Sequence, residues 1–181
     1  MVRLRHLDSE GKAAMVDVSN KESSARTATA VGSVTMAADT FERIGGGGIA
    51  KGDVLAVARV AGVMAAKKTS DVIPLCHPIS LTSVAVNFTL DAGRSSVDIS
   101  ATCKTRGPTG VEMEALTAVS VAALAIYDMC KSIDRSMTIG PVRLTFKTGG
   151  NSGTFLSDDS ADSRDGGKKK GTGMRSRVEG E

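Results

Sequence analysis

Acidic and basic side chains stand at the ends of two apolar stretches that are predicted to be helices. Lys51 precedes the first stretch, at a helix end whose free backbone N–H groups already attract anions. Glu112 and Glu114 open the second stretch, and Asp128 and Lys131 close it, one turn apart on the same face. Carboxylates and lysines are residue types that transfer protons and bind anions. The pattern therefore predicts an anionic ligand near Lys51 and a second helix that does more than fill a core.

Each of these residues also has a purely structural explanation. Glu112 and Thr109 have the spacing of a capping box, which satisfies free N–H groups at a helix start. Asp128 and Lys131 can be explained as an ordinary ion pair at a helix end, with Asp134 as an alternative partner for Lys131, and His77 as a hydrogen-bonded loop residue. Taken singly, each residue is better explained by structure. The functional interpretation depends on the set.

The second apolar stretch, 109–131, is predicted to be one helix of about six turns. Its residues from 115 to 127 are nearly all apolar, on every side of the helix, so protein or lipid must enclose it. The apolar run is shorter than the ~20 residues that span a bilayer, and acids bracket it. We therefore expect protein around this helix and no membrane.

The order of predicted elements indicates an α+β fold of the ferredoxin-like βαββαβ type, an antiparallel sheet with two long helices packed on one face. Both helices are apolar over more of their circumference than one sheet can cover, which predicts a homo-oligomer. The predicted strands are 27–36, 82–90, 95–105 and 137–147, the long helices are 54–66 and 109–131, and a short strand at 14–19 and a short helix at 38–44 complete the set.

Composition limits the domain count and the class of partner. The chain has 181 residues, of which 1–150 are predicted to form a single catalytic domain and 151–181 a disordered tail rich in Gly, Ser, Asp and Lys. Aromatic residues make up only 3%, which argues against base stacking on single-stranded nucleic acid. A net charge of +3 permits an anionic small ligand but does not by itself indicate nucleic acid or membrane, so we expect neither as a partner. The first residues lack an apolar signal segment, so we expect a cytoplasmic protein.

No general catalytic or metal-binding motif is present. Four glycines, 45–48, precede Lys51, but the Gly-Asp that follows this lysine does not complete a phosphate-binding loop. Cys76, Cys103 and Cys130 are scattered, which favours buried thiols over a zinc module. The Gly-rich run is expected to loosen the loop that carries Lys51.

Several segments together resemble the cyclic pyranopterin monophosphate synthase family of molybdenum cofactor biosynthesis. The resemblance covers about 6–150, in order. Its motifs are KGDVLAVARVAGVMAAKKT at 51–69, IPLCHP at 73–78, TGVEMEALT at 109–117 and YDMCK at 127–131, with HLD at 6–8, MVDV at 15–18 and KTGG at 147–150.

The resemblance implies a ferredoxin-like hexamer, a trimer of dimers, whose small-molecule substrate is (8S)-3′,8-cyclo-7,8-dihydroguanosine 5′-triphosphate. The products are cyclic pyranopterin monophosphate and pyrophosphate. No cofactor or metal site is implied, and Mg²⁺ bound to the triphosphate is left open. The implied catalytic residues are Asp128, Lys131 and Lys51, and the implied substrate-binding residues are Leu75, Cys76, His77, Met113, Glu114, Glu112, Lys67 and Arg26.

The residue types fit this chemistry. Opening and re-forming the purine rings needs proton transfers, for which Asp128 and Lys131 are candidates. Expelling pyrophosphate from the α-phosphorus needs cations around the phosphates, and Lys51, Lys67 and Arg26 are candidates for that role. His77 and Glu114 are expected to hold the base or the ribose.

The spacing along the second helix adds a prediction about assembly. Glu114 and Asp128 are about 21 Å apart at a rise of about 1.5 Å per residue. A substrate the size of GTP barely bridges that distance, so the two ends are expected to contribute to different copies of the site. Two other interpretations stay open: a non-catalytic oligomer that binds nucleotide or phosphate, and a metal-binding module built on Cys76, His77 and the distant cysteines.

Overall fold

The computed structural model describes residues 10–47 and 49–157, which form one antiparallel sheet with helices packed on one face. The strands are β1 (Ser24–Thr35), β2 (Leu81–Asp91), β3 (Ser96–Gly107), β4 (Thr138–Ile139), β5 (Arg143–Thr148) and β6 (Phe155–Leu156), and the helices are α1 (Ala38–Gly45), α2 (Val54–Lys67), α3 (Thr69–Val72) and α4 (Glu112–Cys130).

The sheet has the order β2–β3–β1–β5–β6, with the short β4 also paired to β1. Every pair is antiparallel. The long elements run β1, α2, β2, β3, α4, β5, and α4 packs on β1 and β3 while α2 packs on β2. The α+β class and the ferredoxin-like βαββαβ arrangement are confirmed.

Small side chains let the layers approach closely. Ala28 and Ala30 of β1 face Ala115 and Ala122 of α4 in one buried core. Between the long helices, a Cβ on Gly62 of α2 would lie only 2.9 Å from a backbone oxygen of α4. The two helices therefore touch through their backbones, which fixes the positions of their ends relative to each other.

The helices α2 and α4 run antiparallel. Lys51, just before α2, donates a hydrogen bond from Nζ to the backbone oxygen of Asp128 near the end of α4, at 2.8 Å. The side chain of Asp53 caps α2 by accepting a hydrogen bond from the N–H of Ala56 at 2.9 Å. This packing brings Lys51 to the end of α4 and places Lys67, the last residue of α2, toward its start.

The predicted start of α4 is wrong by one turn. The helix begins at Glu112 and its N-cap residue, Val111, makes no side-chain capping bond. The carboxylate of Glu112 lies over Gly110, so it does not close a capping box with Thr109. Residues 109–111 are irregular because Val111 is buried while Thr109 faces a cavity.

Other boundaries differ where proline or glycine intervenes. The strand predicted over 137–147 is split into β4 and β5 by Gly140 and Pro141, and proline lacks the N–H that a continuous ladder needs. The loop after α2 begins with the single helical turn α3. The strand predicted over 14–19 is absent, and that segment is an irregular arm.

The end of the described chain also differs from the prediction. Strand β6, which lies inside the segment predicted as a tail, pairs with β5 through Phe146–Leu156 and Lys147–Phe155. The remaining tail from 158, the motif at 6–8 and Gly48 lie outside the described residues.

Helix α4 is long and apolar enough to cross a bilayer by length and composition alone. Half of that stretch is buried, against the sheet and α2, as in the core helix of a folded domain. This burial agrees with the expectation that protein encloses the helix.

Candidate functional site

A cavity of about 260 Å³ lies at the start of α4, between this helix, the loop before β2 and the N-terminal arm. We call it the first cavity. It brings together residues that are far apart in the sequence and that were predicted as substrate contacts. Leu75, Cys76, His77, Glu112, Met113 and Glu114 all line it, together with Val16, Val18, Lys21, Ile79, Thr109 and Gly110.

Glu114 is an almost fully buried carboxyl in this cavity, with 3% of the residue exposed. Burial, helped by the negative charge of Glu112, raises the pKa of Glu114 from 4.5 to about 6. The described residues place no ion-pair partner beside it. Such a carboxyl changes charge near neutral pH, so it is suited to donate or accept a proton against a bound base or ribose.

His77 is fixed by the N-terminal arm. Its Nε2 lies 2.7 Å from the backbone oxygen of Val16. Because a carbonyl oxygen only accepts, Nε2 donates the proton in this bond. The arm 10–18 therefore positions the ring, although its sequence was predicted only as an arm and a short strand.

A larger cavity of about 980 Å³ adjoins the first one, and Lys21, Thr109, Gly110 and Glu112 line both. We call it the second cavity. Arg26 of β1 faces it, with hydrogen bonds from Nε and Nη2 to the backbone oxygens of Gly107 and Pro108 at 2.8 and 2.9 Å. The two cavities thus form one continuous region that is acidic at Glu114 and basic at Arg26.

Lys21 was missed as a site residue. It lines both cavities and so lies near the predicted contacts of each. The available signal was its position in the polar run 21–26, of which only Arg26 was selected. A basic residue in a loop before a strand is too common for its type and spacing to single it out.

The second cluster of predicted residues lies at the other end of α4. Lys131 Nζ donates to Asp128 Oδ1 at 2.6 Å, and Lys51 donates to the backbone oxygen of Asp128. The hydrogen bond from Lys131, with the charges of Lys131 and Lys51, lowers the pKa of Asp128 below its usual value. The pair is open to solvent, with 64% of the Asp128 side chain and 53% of the Lys131 side chain exposed.

Among the described residues, Lys67 is the one predicted site residue that lies neither at the two cavities nor in the Lys51–Asp128–Lys131 cluster. It ends α2 and is exposed, and it is not among the described residues that line the first or second cavity. The antiparallel packing places it on the same side of the molecule as the start of α4. Its predicted role at the site stays a prediction.

The cysteines do not form a ligand set. Cys103 and Cys130 are buried, and Cys76 is half-buried in the first cavity. Burial, with the charge of Glu114, raises the pKa of Cys76 and raises that of Cys103 to about 12, so both thiols stay protonated. Within 10–47 and 49–157, no group of three or more His, Cys, Asp or Glu side chains could hold a metal ion.

The two groups of residues are separated by the length of one helix. Because α4 runs without a break, Glu114 and Asp128 lie about 21 Å apart along its axis. Within one chain, the structure brings the residues of each end together but does not bring the two ends together.

Comparison with known proteins gives one consistent result. The model of the MoaC family matches residues 15–150. The chain is 60% identical over 156 residues to the cyclic pyranopterin monophosphate synthase of Heliobacterium modesticaldum, covering 86% of this chain and 98% of that protein. It is 59% identical over 158 residues to the enzyme of that name from Roseiflexus sp. (87% and 100%), and 58% identical over 158 residues to the one from Desulfitobacterium hafniense (87% and 96%).

Proposed function

The chain belongs to the MoaC family, and from that premise we propose that its active site joins the two cavities of one subunit to the Asp128 end of another. The protein is a cyclic pyranopterin monophosphate synthase, a lyase of molybdenum cofactor biosynthesis. The observation that carries the proposal for the site is the first cavity. Two segments that are far apart in the sequence, 75–77 and 112–114, meet there, and all six of their residues were predicted to contact the substrate.

We propose that the substrate is the cyclised dihydro-GTP, with its base in the first cavity and its phosphates toward the second. Glu114 and His77 suit the base or the ribose, since both line the first cavity and offer a carboxyl with a pKa of about 6 and an imidazole ring fixed by the Val16 carbonyl. Arg26 and Lys21 suit the phosphates, because both are cations that line the second cavity.

In the same proposal, Asp128 and Lys131 transfer the protons that ring opening and recondensation require. Their side chains are already hydrogen-bonded, so the charge on one group is stabilised by the other group as protons are transferred. Lys51 lies beside them and supplies positive charge as a ribose oxygen attacks the α-phosphorus and pyrophosphate leaves. We assign no resident cofactor to this chemistry, and Mg²⁺ on the triphosphate remains open.

The proposal includes a second subunit because a substrate the size of GTP barely bridges the two ends of α4. We propose a homo-oligomer, a hexamer built as a trimer of dimers, in the cytoplasm. An exposed apolar face supports association: Val57, Val60 and Met64, spaced along one side of α2, are each about half exposed, as is Leu124 of α4. Covering this face with another copy would remove apolar surface from water and would allow the Asp128 end of the neighbouring subunit to approach the cavities.

The test of the function is to supply the cyclised dihydro-GTP to the purified protein. The expected result is release of pyrophosphate and formation of the cyclic phosphate product in equal amounts. Absence of both products, with substrate still bound, would favour the alternative of a non-catalytic nucleotide-binding oligomer. The exposed and hydrogen-bonded Asp128–Lys131 pair argues for catalysis, since a protein that only binds phosphate has no use for a carboxylate there.

A further inference from the structure

Gly150 lies directly against the guanidinium group of Arg26. It follows β5, at the start of the turn that leads to β6. A Cβ atom on Gly150 would overlap Nη1 of Arg26 and would lie 2.8 Å from Cζ and 3.1 Å from Nη2. Contacts under 3.0 Å are essentially never made by real Cβ atoms, so the guanidinium occupies the space that any other residue at 150 would need.

The opposite side of the guanidinium is held by backbone oxygens. Nε and Nη2 donate to Gly107 and Pro108, which end β3 and begin the connection to α4. Among the described residues, Nη1 has no hydrogen-bond partner. Arg26 and Gly150 both line the second cavity, so both N–H groups of Nη1 are available to a ligand there.

We propose that Gly150 is a positioning residue, which holds Arg26 between the Gly107–Pro108 carbonyls and the turn so that Nη1 points at a phosphate group of the substrate. The inference rests on the proposed function, in which the second cavity takes the phosphates. A side chain at 150 would push the guanidinium from this position and break its bonds to one or both carbonyls. Gly150 acts through Arg26 and touches no reacting atom itself.

The same turn contains a matched control. Gly153 donates its N–H to the backbone oxygen of Gly150 at 3.2 Å, and its φ of +65° is close to the +74° of Gly150. Both angles are unfavourable for an L side chain, so alanine costs similar backbone strain at either position. A Cβ on Gly153 meets nothing within 4 Å. Only Gly150→Ala adds a collision with Arg26.

The contact is tested by thermal unfolding of the full-length protein in two backgrounds. Gly150→Ala should lower Tm by at least about 3 °C more in the wild-type background than in Arg26→Ala, because removing the guanidinium makes room for the methyl group. Gly153→Ala should lower Tm equally in both. Equal losses from Gly150→Ala in both backgrounds would overturn the inference. If Gly150→Ala alone fails to fold, recovery of folding in the double variant supports the contact, and failure of both overturns it.

The role in binding is tested by pyrophosphate release from the cyclised dihydro-GTP. Gly150→Ala and Arg26→Ala should each lower kcat/KM about 10- to 100-fold. The loss should appear mainly as a higher KM, because one charge-assisted hydrogen bond to the substrate is removed. Adding Gly150→Ala to Arg26→Ala should cause no further loss, and Gly153→Ala should stay within about twofold of wild type. A further loss in the double variant would overturn the positioning role.

These two measurements separate the inference from the proposed function. If unfolding shows the coupling but Arg26→Ala and Gly150→Ala both turn over like wild type, the contact stands and the placing of phosphates in the second cavity is wrong. If Arg26→Ala loses activity while Gly150→Ala does not, the proposed function stands and the positioning role of Gly150 is wrong.

Discussion

The two ends of α4 carry ionisable groups in opposite surroundings. At the start, Glu114 is buried, with no ion-pair partner in the part of the chain that the structure describes, and its pKa is raised to about 6. At the end, Asp128 is exposed and bonded to Lys131, and its pKa is lowered. One helix thus presents a carboxyl that readily takes a proton and another that readily loses one, about 21 Å apart.

This difference shows which part of the site a single chain completes. The start of α4 is enclosed by the loop before β2 and the N-terminal arm, so its cavity exists in one subunit. The end of α4 has its charges in place but no enclosure. Catalysis of ring opening needs both proton transfer and a water-excluding pocket, which is why we propose that another copy covers the exposed end.

The largest expected effect comes from removing the charge at the exposed end. Asp128→Asn keeps the shape of the side chain but cannot transfer a proton, so kcat should fall about 10²- to 10⁴-fold while substrate binding stays within a few-fold of wild type. Product formation and equilibrium binding measure the two quantities. Asp39→Asn is the control, because Asp39 forms a similarly exposed helical ion pair with Arg43 and was not predicted as a site residue.

Unchanged turnover in Asp128→Asn would remove the catalytic assignment of that end. A loss that falls on binding alone would mean that the pair is only a ligand contact, as the non-catalytic alternative requires.

A charge on the apolar face of α2 should separate the subunits. Val60 is 60% exposed, and a glutamate there would have to be buried in any interface that covers this face. Val60→Glu should shift the protein to smaller species in sedimentation and lower turnover at least about 10-fold, with the fold intact by circular dichroism. Leu156→Glu, at an apolar position on β6 that is 73% exposed, is the control and should preserve both the size of the protein and its turnover.

A Val60→Glu protein that is smaller yet fully active would contradict the need for a second subunit. One that keeps its size would show that the interface lies elsewhere on the molecule.

The smallest effect concerns the enclosed end and its pH dependence. Burial raises the pKa of Glu114 from its ordinary value of 4.5 to about 6 in the folded state. Between these two pH values the folded state therefore holds a proton that the unfolded state has lost. Stability therefore falls as pH rises through this window, and it stays lower above pH 6. Glu114→Gln should raise the free energy of unfolding at pH 8 by about 2 kcal/mol and leave it nearly unchanged at pH 4.

Denaturant unfolding at the two pH values checks this prediction. Glu42→Gln, at an exposed position of α1, should change the free energy of unfolding by less than about 0.5 kcal/mol at either pH. A Glu114→Gln protein that is less stable at pH 8 would mean that a cation faces this carboxylate, which would reverse the contrast between the two ends.

The sequence predicted the exposed end better than the enclosed one. The spacing of Asp128 and Lys131 within a helix is enough to place their side chains together, and the structure shows that bond. The fold could also be predicted from the sequence, because strands and two apolar helices in the order βαββαβ are compatible with few arrangements of the chain. Local spacing decides these features.

Features that depend on distant contacts were not accessible in this way. The capping box at Thr109 has the right residue types, but the Glu112 carboxylate lies over Gly110 instead. Lys21 reaches both cavities only because the irregular arm folds against the start of α4. The close contact of Gly150 with Arg26 likewise joins residues from opposite ends of the domain, which no local pattern indicates.

The most direct test of the account is to mix the two ends from different subunits. Glu114→Gln and Asp128→Asn chains, each expected to have lost most of its activity by itself, are co-expressed in equal amounts so that they assemble together. If the ends serve different copies of the site, about a quarter of the sites receive a wild-type Glu114 end from one chain and a wild-type Asp128 end from another, so about a quarter of the activity returns. If each chain completes its own site, every site carries one defect and no activity returns, which would contradict the account.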